Sequence, residues 1–267
     1  MRDVEQTLFT TYENDGVYHM QCSGLVPGPG HVYATLIVGK EKALLVDNGF
    51  GEDRFGEYIA SITDLPVMAI VTHVHPDHMG AFNQFEDIWL HEKDLPSIKN
   101  VFPDVPYDEE KRILGDTRLH LVADGDEIDL GGRKVRVIWT PGHTQGSICL
   151  YEEQTKLMLT GDTLSQRVFL FCAVPPIPLR VYQNSLERLL DYDFTEFLAA
   201  HHPEPMKRGW TEKMIRMVRE FAPEKGRKYV RDGMKESVML YTVGRGFGDE
   251  EYCGFAYDAD ELDVLMR

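Results

Sequence analysis

This 267-residue chain contains no CxxC pair, no apolar run of membrane-spanning length and no surplus of basic residues. The four cysteines, Cys22, Cys149, Cys172 and Cys253, stand far apart in the chain. That scatter speaks against a zinc ribbon and a disulfide framework, and leaves buried free thiols in a reducing compartment as the expectation. No stretch approaches the roughly 18 consecutive apolar residues that a membrane-crossing helix needs. The leading segment MRDVEQTLFTTYENDG carries charges where a secretory leader requires an apolar stretch of roughly 7–15 residues. The expectation is a cytoplasmic protein. Lysine and arginine number 28 against 44 acidic residues, a formal net charge of −16. Such a surface repels both a nucleic-acid backbone and an anionic membrane, so neither is expected as a partner, and the charge serves mainly solubility. The glycine-rich stretches GLVPGPG (24–30) and GRGFGD (244–249) lack the spacing of a phosphate cradle and read as loops. There is also no internal repeat, low-complexity tract or linker dividing the chain into separate domains.

What the chain does contain is a succession of short apolar runs broken by Gly, Pro and Asp. HVYATLIV (31–38) and KALLVDNG (42–49) read as strands joined by a GKEK turn. GEDRFGEYIASI (51–62) has Phe55, Tyr58, Ile59 and Ile62 on one side of a helix. VMAIVTH (67–73) is continuously apolar, the pattern of a strand covered on both faces. IWLH (88–91) predicts a strand, and EKDLPSIKN (92–100) a helix interrupted by Pro96. RLHLVADGD (118–126) and RKVRVIWTPGH (133–143) read as a hairpin around DLGG, and SICLYEE (147–153) with KLMLTGDT (156–163) as another. QNSLERLLDY (183–192) predicts a helix with Leu186, Leu189 and Leu190 inward, and TEFLAAHHPEP (195–205) a final strand. GWTEKMIRMVREFA (209–222) spaces Trp210, Met214, Met217, Val218 and Phe221 as an amphipathic helix. The remaining tail follows no single period. The expected organisation is a catalytic domain over 1–205, with 206–267 a helical or irregular extension packed on it.

Chemistry concentrates where those runs end. VTHVHPDHMG (71–80) holds His73, His75, Asp77 and His78. Residues two apart on an extended segment face the same side, so His73 and His75 project together. After Pro76 the chain turns, which brings Asp77 and His78 to the same mouth. Imidazole nitrogens and carboxylates suit zinc, iron or manganese, although a polar surface turn would have the same composition. Three further residues stand at equivalent breaks: His143 in TPGHTQGS, Asp162 in LTGDTL and His201 in AAHHPEP. Strands that repeatedly stop at a Gly/His or Gly/Asp pair deliver ligands to one end of a sheet, and glycine there permits close backbone approach.

Taken in order, THVHPDH, TPGHTQGS, TGDTL and AAHHP resemble the metallo-β-lactamase-fold hydrolases of the glyoxalase II type, over about residues 31–205. The resemblance implies an α/β fold, a four-layer αββα sandwich with the site at one edge between two sheets. It also implies two divalent metal ions, zinc first and iron or manganese as alternatives. His73, His75 and His143 would hold one ion, Asp77, His78 and His201 the other, and Asp162 would bridge them. His201 rather than His202 is taken as ligand because Ala200-His201-His202-Pro203 matches the family pattern; His202 then becomes a pocket-wall residue. Asp47 in LLVDNG is expected to orient a ligand histidine or to anchor its turn. Many true β-lactamases of this fold have a cysteine at the site position that is Asp162 here, which turns expectation away from antibiotic hydrolysis.

The expected activity is hydrolysis of a small ester, thioester or lactone by a metal-bound hydroxide, with Asp77 orienting the hydroxide or passing its proton to the leaving group. The alternatives are a sulfur-dioxygenase-like iron oxidoreductase built on the same ligands, and a phosphodiesterase. The partner is then a small-molecule substrate, with self-association left open. Specificity is expected in RVFLFCAVPPIPLRVYQ (167–183) and in the tail. Phe169, Phe171, Ile177, Leu179 and Tyr182 could wall an apolar cleft there or simply pack the loop, and Tyr182 is a candidate donor to a substrate oxygen. His19, His31, His91 and His120 lack companion ligands and are expected to be structural.

Overall fold

The computed structural model describes residues 8–22, 31–51, 54–231, 233–245 and 252–267. The glycine-rich stretch 24–30, most of 244–249 and the first seven residues lie outside the described residues.

The first sheet starts with the antiparallel run β1 (Phe9–Asn14), β2 (Val17–Cys22), β3 (Val32–Val38) and β4 (Ala43–Val46). Helix α1 (Phe55–Ile62) then crosses over to β5 (Val67–Ile70), which lies parallel between β4 and β6 (Asp87–His91). Short β7 (Tyr107–Asp108) and β8 (Ile113–Leu114) lead to β9 (Thr117–Val122), parallel to β6. Lying inside the sheet explains why VMAIVTH is apolar throughout. Ala69 and Val71 face α1, whereas Ile70 faces the second sheet.

The second sheet contains β10 (Glu127–Asp129), β11 (Lys134–Trp139), β12 (Ile148–Glu152) and β13 (Leu157–Gly161). The chain leaves it for β14 (Arg167–Phe169) and returns as β15 (Glu196–Ala199), parallel to β13, and β16 (Met206–Lys207). The expected hairpin around DLGG is shorter than read from sequence. It joins β10 to β11, while RLHLV is β9 of the other sheet, because the chain changes sheets at residues 123–126. The SICLYEE/KLMLTGDT hairpin forms as β12 and β13.

Side chains from both sheets, including Leu44, Ile70, Val137, Leu150 and Leu159, fill the space between them. Phe55 and Ile59 of α1 cover the outer face of the first sheet. The outer face of the second is covered by α4 (Leu179–Leu189) and α5 (Gly209–Arg219) through Leu186, Leu189, Met214 and Met217. These are the four layers of an αββα sandwich. Between β6 and β9, EKDLPSIKN forms a 3-10 turn (Glu92–Ser97) and then the short α3 (Ile98–Val101), Pro96 having no N–H for a continuous helix. Leu190, expected inward, lies just past α4 and is only half-buried.

The tail without a clear period holds two strands, β18 (Val238–Val243) and β19 (Cys253–Asp258), after the short β17 (Arg227–Lys228). They pair with each other, and β19 pairs parallel with β14. A third sheet therefore joins residues 167–169 to the carboxyl-terminal segment.

Candidate metal centre

The histidine segment follows β5 directly. Pro76 opens a single helical turn, α2 (Pro76–Met79), as its fixed backbone angle favours, and that turn swings Asp77 and His78 back toward His73 and His75. Gly161 ends β13 at φ +49°, where a Cβ would lie 2.5 Å from Thr72 Oγ1. Only glycine lets the strand carrying Asp162 approach the histidine strand this closely.

Two groups of ligand-type atoms converge there. His73 Nε2 and His75 Nδ1 are 2.9 Å apart, and His143 Nε2 lies 3.1 Å and 3.0 Å from them. In the second group, His201 Nε2 is 3.5 Å from Asp77 Oδ2, and His78 Nε2 is 3.7 Å from the same oxygen. Asp162 stands between the groups. Its Oδ2 is 3.5 Å from His143 Nε2, while its Oδ1 is 3.3 Å from His201 and 3.6 Å from His78. The Nδ1 of His202 turns to the Glu204 carbonyl, 2.7 Å away, and that side chain joins neither group.

The outer ring nitrogens are held by the surrounding protein. His78 Nδ1 donates to Asp47 Oδ2 at 2.8 Å. Thr72 Oγ1 donates to the same carboxylate, so it is left to accept from His73 Nδ1 at 3.0 Å. His143 Nδ1 donates to the Phe169 carbonyl and His201 Nδ1 to the His31 carbonyl, at 2.6 Å and 3.0 Å. Each of these bonds leaves the Nε2 lone pair pointing inward, the tautomer a metal ligand requires.

The sequence model described as the metallo-beta-lactamase superfamily matches residues 27–201, well over half of the chain. The chain belongs to that superfamily. Among solved structures it is similar to a metallo-beta-lactamase from Pontibacter korlensis (TM-score 0.65, 16% identity, 80% of this chain and 100% of that one). A metallo-beta-lactamase family protein from Thermus thermophilus also superimposes (TM-score 0.59, 24% identity, 75% and 78% covered). These likenesses speak to the fold alone. Among curated proteins, the human acyl-coenzyme A thioesterase MBLAC2 is 28% identical over 185 residues, 58% of this chain and 66% of its own length. The probable metallo-hydrolase YqgX of Bacillus subtilis is 26% identical over 156 residues, 52% and 69% respectively. The matches span 56–66% of the length of the human and chicken MBLAC2 proteins.

In this superfamily member the cluster is able to bind metal ions, and its electrostatics show why. Burial, followed by neighbouring imidazoles, pushes His73 well below the usual histidine range and His75 down to about 3, which keeps both neutral. Burial also opposes protonation of His78, but the Asp77, Asp47 and Asp162 carboxylates outweigh it and raise that ring to about 10. Asp162 likewise raises His201 to about 8 against its burial. The second group thus binds protons where a cation would answer the same negative charge. His78 Nε2 and Asp162 Oδ1 are buried without a hydrogen-bond partner, and a divalent ion between them would satisfy both.

One supporting residue went unnoticed in the sequence. Asp94, 1% exposed, accepts from Val74 N and Gly146 N at 2.8 Å and 2.7 Å and from Thr144 Oγ1 at 3.0 Å. It ties the loop carrying His73 and His75 to the loop carrying His143. The only hint was an acidic residue in a short helix, which usually means solvent exposure.

The centre opens into a cavity of about 530 Å³ walled by Phe50, Phe169, Cys172, Arg167, His202 and Arg231, among others. Of the expected lid, Phe169 reaches this cavity, whereas Ile177, Leu179 and Tyr182 are buried. Tyr182 is not a substrate donor: its hydroxyl donates to the Thr163 carbonyl at 2.9 Å, and its ring packs where a Cβ on Gly142 would stand. His19 and His91 are buried, and His91 and His120 stack on Trp139 and Trp89. His31 offers its carbonyl to His201. Cys22, Cys149 and Cys253 are buried, but Cys172 is half-buried at the cavity.

Proposed function

We propose that this protein is a metal-dependent hydrolase that cleaves small thioesters, esters or lactones at a two-ion centre. The observation that carries the reading is the division of the Asp162 carboxylate, one oxygen toward each group of ligands. His73, His75 and His143 would hold one ion, Asp77, His78 and His201 the second, with Asp162 shared. Zinc suits this nitrogen-and-oxygen set, with iron and manganese as alternatives. When bound, two such ions lower the pKa of a shared water toward about 7 and polarise the substrate carbonyl.

The protein's own groups supply the rest. Asp77 lines the cavity beside the centre, where its carboxylate takes a proton from the attacking water and returns it to the leaving sulfur or oxygen. Phe50 and Phe169 give the acyl group an apolar wall. The Cys172 thiol is held protonated by burial and then by the Asp162 and Asp77 carboxylates, so it does not compete as a nucleophile. The names of the human thioesterase and the bacterial metallo-hydrolase support a hydrolase, and the first of them is the reason to begin the panel with thioesters.

Elemental analysis of protein purified without added metal should find about two equivalents of a divalent ion per chain. Activity on a panel of thioesters, esters and lactones should vanish on chelation and in His75→Ala. Metal-replete protein inert on the whole panel would sink the proposal. Iron together with thiol-dependent oxygen uptake would replace it with an oxidoreductase.

A further inference from the structure

Between the two sheets, beside the strand ends that carry the centre, lies a small cavity of about 10 Å³. His19, Thr35, Asp47 and Thr72 line it together with apolar side chains such as Leu159 and Leu198, and all six are nearly fully buried. A polar space of that size holds one water molecule when at least two groups are free to bond it.

The partners of these side chains fix where their hydrogens lie. His19 stands opposite Thr35 across β2 and β3. Its Nε2 meets the His202 carbonyl at 2.9 Å, and a carbonyl only accepts, so Nε2 carries the hydrogen. Burial lowers the pKa of this ring to about 4, which leaves Nδ1 a bare acceptor near neutrality. The Thr35 hydroxyl, 2.8 Å from Nδ1, therefore donates to it and keeps its own lone pairs free. On its other side Thr35 pairs with Val46, the residue before Asp47. The Asp47 carboxylate accepts twice at Oδ2, from Thr72 Oγ1 and His78 Nδ1, but once at Oδ1, from Thr72 N. A carboxylate oxygen takes two donors, so Oδ1 has a place left. Thr72 Oγ1 cannot fill it, because its hydrogen is committed to Oδ2. Two acceptors, Thr35 Oγ1 and Asp47 Oδ1, are thus left on residues that border one water-sized space, and a water molecule has a hydrogen for each.

Resting on the two-ion reading above, we propose that an ordered water in this cavity donates to Thr35 and Asp47, and that Thr35 and His19 are positioning residues for the second group of ligands. A chain of hydrogen bonds then runs from the His202 carbonyl through His19, Thr35 and the water to Asp47 and His78. It ties together two ligands of that group, His78 through its Asp47 anchor and His201 through the loop that His19 braces. The group of His73, His75 and His143 meets the chain only through Thr72.

Single-ion affinities, read by competition with a chelator, separate the two groups. His75→Ala leaves Asp77, His78 and His201 intact, and His201→Ala leaves His73, His75 and His143. Adding Thr35→Val, which keeps the shape and removes the hydroxyl, should weaken the ion about tenfold or more in the His75→Ala protein and leave it unchanged in the His201→Ala protein. Thr35→Ser retains the hydroxyl and should match the parent in both. Equal weakening in both backgrounds, or no recovery with serine, marks a merely structural role and would overturn the inference. A high-resolution crystal structure of the unsubstituted protein should show solvent within hydrogen-bond reach of Thr35 Oγ1 and Asp47 Oδ1, and a dry cavity there rejects the inference whatever the metal content. Wild-type protein that holds one ion only would take down the two-ion reading and the positioning role with it. Two ions in the wild type, with affinity untouched by Thr35→Val, sink the inference alone.

Discussion

Asp47 shows how much one side chain can organise. It sits at φ +62°, a conformation that aspartate tolerates better than most residues, and from there its two oxygens reach Thr72 N, Thr72 Oγ1 and His78 Nδ1. Replacing it removes the anchor of His78 directly and that of His73 through Thr72. Asp47→Ala should weaken metal binding about 10–100-fold, as read by titration against a competing chelator. Unchanged affinity would show that packing alone orients the two rings. His19 acts on the other side of the centre: its ring nitrogens meet Thr35 Oγ1 at 2.8 Å and the His202 carbonyl at 2.9 Å, bracing the loop that carries His201. Burial lowers its pKa to about 4, with the bond to His202 only partly compensating. The unfolded chain takes up this proton near pH 6.5 and the folded chain only near 4, so stability is full above about 6.5 and declines between those values. The loss should approach about 3 kcal/mol. Urea unfolding of metal-saturated protein at several pH values, compared with His19→Gln, should show a shallower acid decline in the variant.

Among elements, α4 illustrates how a sequence pattern can be right about packing and wrong about role. Leu186 and Leu189 face the core, as their spacing predicts, but the helix begins four residues earlier than expected and takes in Leu179 and Tyr182. Pro178 just before it sets the start, and a run of Pro and apolar residues reads equally well as a lid. Tyr182→Phe removes a buried hydrogen bond to a backbone carbonyl and should cost about 1 kcal/mol, with kcat unchanged. A large fall in kcat at unaltered stability would restore Tyr182 to the substrate site. Leu186→Ala, by contrast, empties part of the core under the second sheet and should cost about 2–5 kcal/mol in thermal or urea unfolding. Strand β14 was hidden for a different reason. Three residues carry too little alternation to show a period, and what makes them a strand is pairing with β19, nearly ninety residues later.

At the level of the whole molecule, the carboxyl-terminal segment is interleaved with the rest. Met214, Met217, Phe255 and Tyr257 share one core with Ile138, Met158 and Phe197 of the second sheet, and β19 supplies the ladder for β14. A chain ending at Pro205 would expose that apolar face and leave β14 without its partner. It should lose the cooperative thermal transition of the full chain by circular dichroism. A sharp transition in the truncated protein, with metal still bound, would show that 206–267 is an appendage.

The sequence by itself determined the histidine- and aspartate-bearing turns and the succession of short strands and helices, and those turns carried the resemblance that implied the sandwich. Each is local: a strand's buried run, a glycine that permits close approach and a histidine or aspartate at the break lie within ten residues of one another. It also pointed to Asp47, through the likeness of its LLVDNG turn to the family. Tertiary structure alone decided which side chains meet across distance. The Asp94 brace, the burial of Tyr182 and the third sheet all depend on contacts between segments far apart in the chain. No local period encodes such contacts, since their energy arises only once the layers have packed.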